Sequence, residues 1–326
     1  MTGSPNIGST PRVWTDTELE NAAQLALEEF VERRLAEPSG RYIEHLKVRR
    51  NAIVRLFKTI RGIDPSHPDP DVVREILHDE PLFDALRYVA GPPVSKDDLG
   101  ILVTRKIGGL RWSNLDNDDI LVAGVLQLLC RLADPWRFPW IAKARPPTLR
   151  EIRSAIDGTT TLHAAQSLQT ERRGHGRNVE QRLEQRLISV GFSKISGKTT
   201  DAADYTYPKH GKITQPSHYP VWQSFYGECT VYERKVDLFI ALPSGRTIAL
   251  EAKDSSSALN STKRLLNDTA AKARHYQVQA GKSIISVALL SGVFKPDDLR
   301  RAQESGLYIV WARDMDGFID WIMAQS

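Results

Sequence analysis

The segment from Arg234 to Lys253 admits few folds. Two strand patterns, residues 236–242 and 246–253, flank the tripeptide Pro243-Ser244-Gly245. A loop of that composition fits a three-residue hairpin, with Pro and Ser in a type I turn and Gly in the left-handed position. Counting back from the loop pairs Leu242 with Arg246, Ile240 with Ile248 and Leu238 with Leu250, which leaves one face consistently apolar. The same register sets Asp237 directly opposite Glu251, about 5 Å between Cβ atoms. Lys253 lies two residues beyond Glu251 and projects from the same face. Slipping the pairing by one residue would turn Asp237 toward the core and break both patterns.

The chain around this hairpin reads as two parts. Ahead of it, Val179, Leu183, Leu187 and Val190 form a helix stripe closed by Gly191, followed by a polar connection over 193–220. Behind it come a helix over 262–280 ended by Gly281 and a buried strand over 284–290. Then follow a helix opened by Pro296 and closed by Gly306, a strand over 307–311 and a last helix over 314–323. The first half is helical throughout. Thr15 and Glu18 form a capping box ahead of the stripe Leu19, Ala23, Leu27 and Phe30, and Pro38 interrupts. A basic amphipathic helix over 41–61 follows, with Ile43, Leu46, Ile53, Leu56, Phe57 and Ile60 as its apolar face. The Pro-rich run 64–70 is a loop. Further helices are predicted over 71–78, 81–90, 95–106 and 117–133, and another from near Thr148 toward Arg172. The expected architecture is an N-terminal helical domain, residues 1–170. An α/β domain, residues 171–326, follows it, with a mixed central sheet flanked by helices.

A chain of 326 residues that is 41% hydrophobic and 26% charged is globular rather than disordered or fibrous. The net charge of +4 hides an asymmetry. Residues 1–165 hold 22 basic against 23 acidic residues, and residues 166–326 hold 22 against 17. Basic clusters lie at 41–61 (including Arg49 and Arg50), at 171–177, and at Lys263, Arg264, Lys272 and Arg274, consistent with an anionic partner or with solvated helix faces. Two cysteines, Cys130 and Cys229, are too few for a disulfide scaffold or a zinc site. The eight histidines lack metal-ligand spacing, and no Gly-rich phosphate loop is present, so no nucleotide cofactor is expected. The longest apolar stretch, residues 120–130, is about half a membrane span. The opening residues lack a basic-then-apolar leader, and a cytoplasmic location is expected.

Two carboxylates and an amine on one sheet face have a definite chemical use. Asp237 and Glu251 suit Mg²⁺, which prefers oxygen ligands and retains water, and the backbone carbonyl of Ala252 offers a further ligand. Such an ion activates water and neutralises charge on a phosphoryl oxygen. Lys253 would orient or deprotonate the water, or stabilise the developing charge. The alternative is a structural cross-strand salt-bridge cluster. Arg234 and Lys235 flank the metal position, while Asn260, Lys263 and Arg264 open the next helix, so these could contact phosphate groups of a substrate. Glu228 would be a supporting residue or a strand-edge residue.

The order helix–strand–strand–helix–strand around the motif resembles the core of the PD-(D/E)xK nuclease superfamily. There a glutamate on the preceding helix often supplements the metal site, and Glu180 is its counterpart here, the alternative being a solvated first-turn residue. Val236 rather than Pro precedes Asp237. Longer strings are similar to the XamI family of type II restriction endonucleases over nearly the whole chain. They are Val13-Trp-Thr-Asp-Thr-Glu-Leu19, residues 86–99, Arg137-Phe-Pro-Trp-Ile141, Gly227-Glu228 before Arg234-Lys-x-Asp237, Lys263-Arg-Leu-x-Asn-Asp268, residues 289–295 and residues 311–314. This resemblance implies Mg²⁺-dependent hydrolysis of double-stranded DNA at a short palindromic sequence, leaving 5′-phosphate ends. It also implies a homodimer and a cognate DNA methyltransferase as a functional, unbound counterpart. Two other readings share the residues: a structure-specific repair or recombination nuclease, and a DNA-binding protein that does not cleave.

Overall fold

The computed structural model describes residues 10–60, 69–106, 115, 117–195, 212–255 and 262–325. The chain divides into two units, residues 36–172 and residues 1–35 together with 173–326. The first helix therefore belongs to the C-terminal unit, a division different from the expected one at residue 170. Helix α1 (Asp16–Ala36) starts at the capping box: the Thr15 amide donates to Glu18 Oε2 at 2.8 Å and the Glu18 amide to Thr15 Oγ1 at 3.4 Å. Its buried face is Leu19, Ala22, Ala23 and Ala26, whereas Leu27 is partly exposed. That face packs with Leu265, Leu299, Ile309 and Trp311. Just ahead of the helix, the Trp14 indole N–H donates to the Ile309 carbonyl at 2.9 Å.

The unit over residues 36–172 is helical: α2 (Arg41–Ile60), α3 (Pro70–His78), α4 (Glu80–Arg87), α5 (Lys96–Thr104), α6 (Asp119–Arg131), α7 (Pro139–Ala142) and the first part of α8 (Leu149–Ser189). Side-chain oxygens set the helix starts. Asp79 accepts from the Leu82 amide, Ser95 from Asp98 and Asp118 from Leu121. Ile53 and Leu56 of α2, Ile76 and Leu77 of α3, Leu86 of α4, and Val122, Val125 and Leu129 of α6 share one core. The basic helix is largely paired inside its own unit. Arg41 meets Glu44 and Glu171, Arg49 meets Asp84 at 3.8 Å, Arg50 meets Asp157 and Arg55 meets Asp79.

Where two helices were expected on either side of the 171–177 cluster, α8 runs unbroken for 41 residues through Gly174 and Gly176. Each internal glycine costs about 1 kcal/mol relative to alanine. Burial of Val179, Leu183 and Leu187 offsets this, each such side chain contributing about 1.5–3 kcal/mol. The helix ends at Gly191, whose φ is +96°.

In the second unit a six-stranded sheet has the order β1-β3-β6-β7-β8-β9: β1 (Ser193–Ile195), β3 (Ser224–Tyr226), β6 (Leu238–Ala241), β7 (Thr247–Ser255), β8 (Ile284–Gly292) and β9 (Tyr308–Trp311). It is mixed, with β6 antiparallel to β3 and β7, and β7–β8–β9 parallel. Leu238, Ile240, Ile248, Leu250, Val287 and Leu289 face the end of α8 and the last helix, α11 (Met315–Met323). Phe239 and Ala249 face the other way, toward Tyr276 of α9 (Ala271–Ala280). Ala288 and Leu290 point to that side too, with α1 and α10 (Pro296–Glu304). A smaller sheet, β2-β4-β5, comprises Lys212–Ile213, Cys229–Val231 and Arg234–Val236. Its β4–β5 turn is Tyr232-Glu233, both at positive φ (43° and 67°), a conformation that side chain-bearing residues rarely adopt. The expected hairpin is present: Leu242 donates to the Arg246 carbonyl at 2.8 Å, and Gly245 has φ +76°. Among the described residues no helix is long and apolar enough to cross a membrane.

At the end of β7, Ser255 is in register with Gly292 of β8, and the Ser255 carbonyl accepts from Val293 at 2.8 Å. A Cβ on Gly292 would stand 2.1 Å from that carbonyl oxygen, at a φ of +89°. Gly292→Ala is expected to lower the unfolding free energy by about 3 kcal/mol or more, read by urea denaturation. An unchanged midpoint would show that this strand end yields freely.

Candidate active site

Asp237 is the bend at which the chain leaves the small sheet as β5 and enters the large one as β6. Its amide donates to the Leu250 carbonyl at 3.0 Å, and its carboxylate Oδ2 accepts from the Ala252 amide at 2.7 Å. The side chain thus takes over from the backbone where the β6–β7 ladder stops at Leu238 and Leu250. In an extended strand a residue's N–H and C=O face the same side, so the Ala252 carbonyl faces Asp237 as well. The hairpin count holds through Leu238↔Leu250, where the ladder ends; Asp237, at the bend just beyond, bonds the residues on either side of Glu251, Leu250 and Ala252.

Glu251 is 4% exposed, and both of its oxygens are held by ammonium groups. Lys253 Nζ donates to Oε2 at 2.5 Å, and Lys272 Nζ, from α9, donates to Oε1 at 2.6 Å. Asp268, in the π-helical turn over Lys263–Ala270 that leads into α9, lies 3.7 Å from Lys253 and 3.5 Å from Lys272. Burial pushes the Glu251 carboxyl above its ordinary range, and Lys253 opposes this shift. For Lys253 burial acts downward, but the charges of Glu251, Asp237 and Asp268 outweigh it and raise the pKa. Lys253 is therefore an ammonium at neutral pH.

Glu180 on α8 stands beside this group. Burial, and next the Asp237 carboxylate, push its pKa up to about 7. Among the described residues no three His, Cys, Asp or Glu side chains converge closely enough to hold a metal ion. A donor set of Asp237, Glu251 and the Ala252 carbonyl, completed by water, still fits Mg²⁺, which retains several waters when protein-bound. Asp237 Oδ1 is the oxygen that its backbone bond leaves available for such an ion.

The other expected residues fall in different places. Arg234 and Lys235 lie on β5, exposed, and Lys235 Nζ donates to Glu228 at 3.0 Å. The Arg234 carbonyl accepts from the Tyr276 hydroxyl at 3.4 Å. Asn260 and the side chains of Lys263 and Arg264 lie outside the described residues. Arg49 and Arg50 belong to the other unit, engaged with Asp84 and Ser167 and with Asp157 respectively. In the sequence Lys272 is one charge in a basic cluster and Asp268 falls within the string over 263–268. The Asp268–Lys272 spacing of four on a helix was the one local signal for them.

The family model described as XamI restriction endonuclease matches residues 70–311. The type II restriction enzyme XamI of Xanthomonas campestris pv. amaranthicola is 32% identical over 274 residues, covering 84% of this chain and 94% of that enzyme. No solved structure matches the chain. With its mixed sheet flanked by helices, the protein is of the class of type II restriction endonucleases, site-specific deoxyribonucleases that act on double-stranded DNA. Within that class the chain belongs to the XamI restriction endonuclease family.

Because the folded pKa of Glu180, about 7, exceeds its ordinary 4.5, the folded state keeps this proton after the unfolded chain has lost it. Its contribution to stability is then present at low pH and is lost as pH rises from about 4.5 to about 7. Glu180→Gln, which cannot ionise, is expected to gain in melting temperature relative to wild type across that interval. A difference independent of pH would contradict the shift.

Proposed function

We propose that the enzyme hydrolyses DNA by a Mg²⁺-dependent PD-(D/E)xK mechanism in which Asp237, Glu251 and Lys253 carry the chemistry. The observation that carries this reading is the convergence at one strand end: Asp237 bonded to the Leu250 carbonyl and the Ala252 amide on either side of Glu251, and Lys253 bonded to Glu251 at 2.5 Å. Asp237 Oδ1, Glu251 and the Ala252 carbonyl would hold the ion, with Glu180 able to assist. Bound there, a divalent ion supplies positive charge to the scissile phosphate and lowers the pKa of coordinated water. Asp237 fixes the Ala252 backbone, so the two carboxylates keep their spacing before DNA arrives. Lys253, kept protonated by its acidic neighbours, donates to the attacking water or to a phosphoryl oxygen and stabilises charge that grows in the transition state. Water adds to phosphorus, the P–O3′ bond breaks, the 3′ oxygen gains a proton, and the ends are a 5′-phosphate and a 3′-hydroxyl.

A homodimer matched to a palindromic site places one such centre on each strand. Residues 36–172 are the candidate region for dimer contacts, base readout or both, and the C-terminal unit for catalysis. Exposed Arg234 and Lys235, with Asn260, Lys263 and Arg264, are candidates for phosphate contact. Arg49 and Arg50 are weaker ones, because acidic partners in their own unit already neutralise them. A cognate methyltransferase would protect the host sequence without binding this chain, in the cytoplasm where both meet DNA.

Purified protein with phage DNA and Mg²⁺ is expected to yield discrete fragments that DNA ligase rejoins without prior phosphorylation. Asp237→Asn and Lys253→Met are each expected to lower the cleavage rate by on the order of 10³-fold or more, Asp237→Asn while leaving the melting temperature near that of wild type. Cleavage at the wild-type rate by either variant would overturn the assignment.

A further inference from the structure

The carboxylate assigned to metal binding has no oxygen clear of a cation. Lys253 takes Oε2 of Glu251, and Lys272 takes Oε1 at 2.6 Å with its side chain only 15% exposed. A divalent ion on Oε1 would stand within about 4 Å of the Lys272 ammonium, close enough for strong repulsion in a buried site. One of the two lysines therefore has to move for Glu251 to serve as a ligand.

The two are not equivalent. Lys253 is on β7 itself, two residues from Glu251, and bonds the oxygen on its own side. Lys272 lies four residues after Asp268, and its Nζ is already 3.5 Å from Asp268 Oδ1. A rotamer change can carry this ammonium from Glu251 to Asp268 without moving backbone. Asp268 is half exposed, its side chain 49% accessible, so receiving the ammonium requires little further desolvation.

We propose that Lys272 is a resident cation that occupies Oε1 of Glu251 until a divalent ion displaces it, and that Asp268 is the seat to which it moves. Lys272 is a positioning residue in this scheme. It holds the buried carboxylate correctly turned before metal arrives, and it raises the metal concentration at which the site fills. The proposal rests on Asp237 and Glu251 being the metal ligands.

Direct Mn²⁺ binding to the full-length protein without DNA, followed by the electron paramagnetic resonance signal of the free ion, separates the two ideas. Lys272→Met is expected to bind Mn²⁺ roughly tenfold more tightly than wild type or better. Lys272→Arg, which keeps the charge, is expected to restore binding close to wild type. Asp268→Asn is expected to weaken binding in the wild-type background and to lose most of that effect when combined with Lys272→Met. Should Lys272→Met fail to fold, Lys272→Gln carries the same expectation. Equal or weaker binding by the folded Met or Gln variant would overturn the Lys272 proposal, as would an Asp268→Asn effect of the same size in both backgrounds. If Glu251→Gln binds Mn²⁺ as wild type does, the ligand assignment itself fails.

Discussion

A buried carboxylate cannot stay ionised without partners, and Glu251 sets that condition for everything around it. Its two oxygens are satisfied by lysines from two different elements, β7 and α9. An isolated charge at that depth would cost several kcal/mol, so the strand and the helix must be held in a fixed relation for the group to exist at all. The sheet supplies half of that relation through the parallel β7–β8 ladder, and the connection from Lys263 to Ala280 supplies the other half by returning across the sheet face. Asp237 solves the neighbouring problem, where the antiparallel ladder ends and a backbone amide would be left without an acceptor. Structural need and chemical capacity coincide at these residues.

The same economy of charge runs through the helical unit. Basic residues that in sequence suggest a surface for an anionic partner are largely committed to acidic neighbours, Arg49 to Asp84, Arg50 to Asp157 and Arg55 to Asp79. The exposed Arg50–Asp157 pair contributes little to stability, typically below about 1 kcal/mol for a pair of this kind. The consequence of these pairs is electrostatic: the helix that looked most cationic presents much less net charge than its composition implies.

How much of this was legible follows from the range of each interaction. The hairpin register was legible because it is local and because a one-residue slip has a large penalty. The capping box at Thr15 and the glycine stop at Gly191 were legible for the same reason. Three-residue strands such as β3, β4 and β5 carry too little pattern to stand out, and the Tyr232-Glu233 turn lacks the glycine or asparagine that announces such a turn. Gly174 and Gly176 read as a break because their intrinsic cost is visible locally, while the burial of Val179, Leu183 and Leu187 that offsets it is not.

By itself the sequence determined the hairpin register from Leu238 to Ala241 against Thr247 to Leu250, and the helix–strand order that follows the hairpin. Those features depend on residues within one hairpin or on one helix face, where period and turn chemistry leave a single solution. Family membership also follows from the chain alone, through strings of residues that need no coordinates. Only the tertiary structure decided that α1 packs with the C-terminal unit, and that Lys272 and Asp268 join the carboxylates. Those contacts link elements distant in sequence, and they form because helices must bury their apolar stripes on a sheet face whose neighbours no local pattern names.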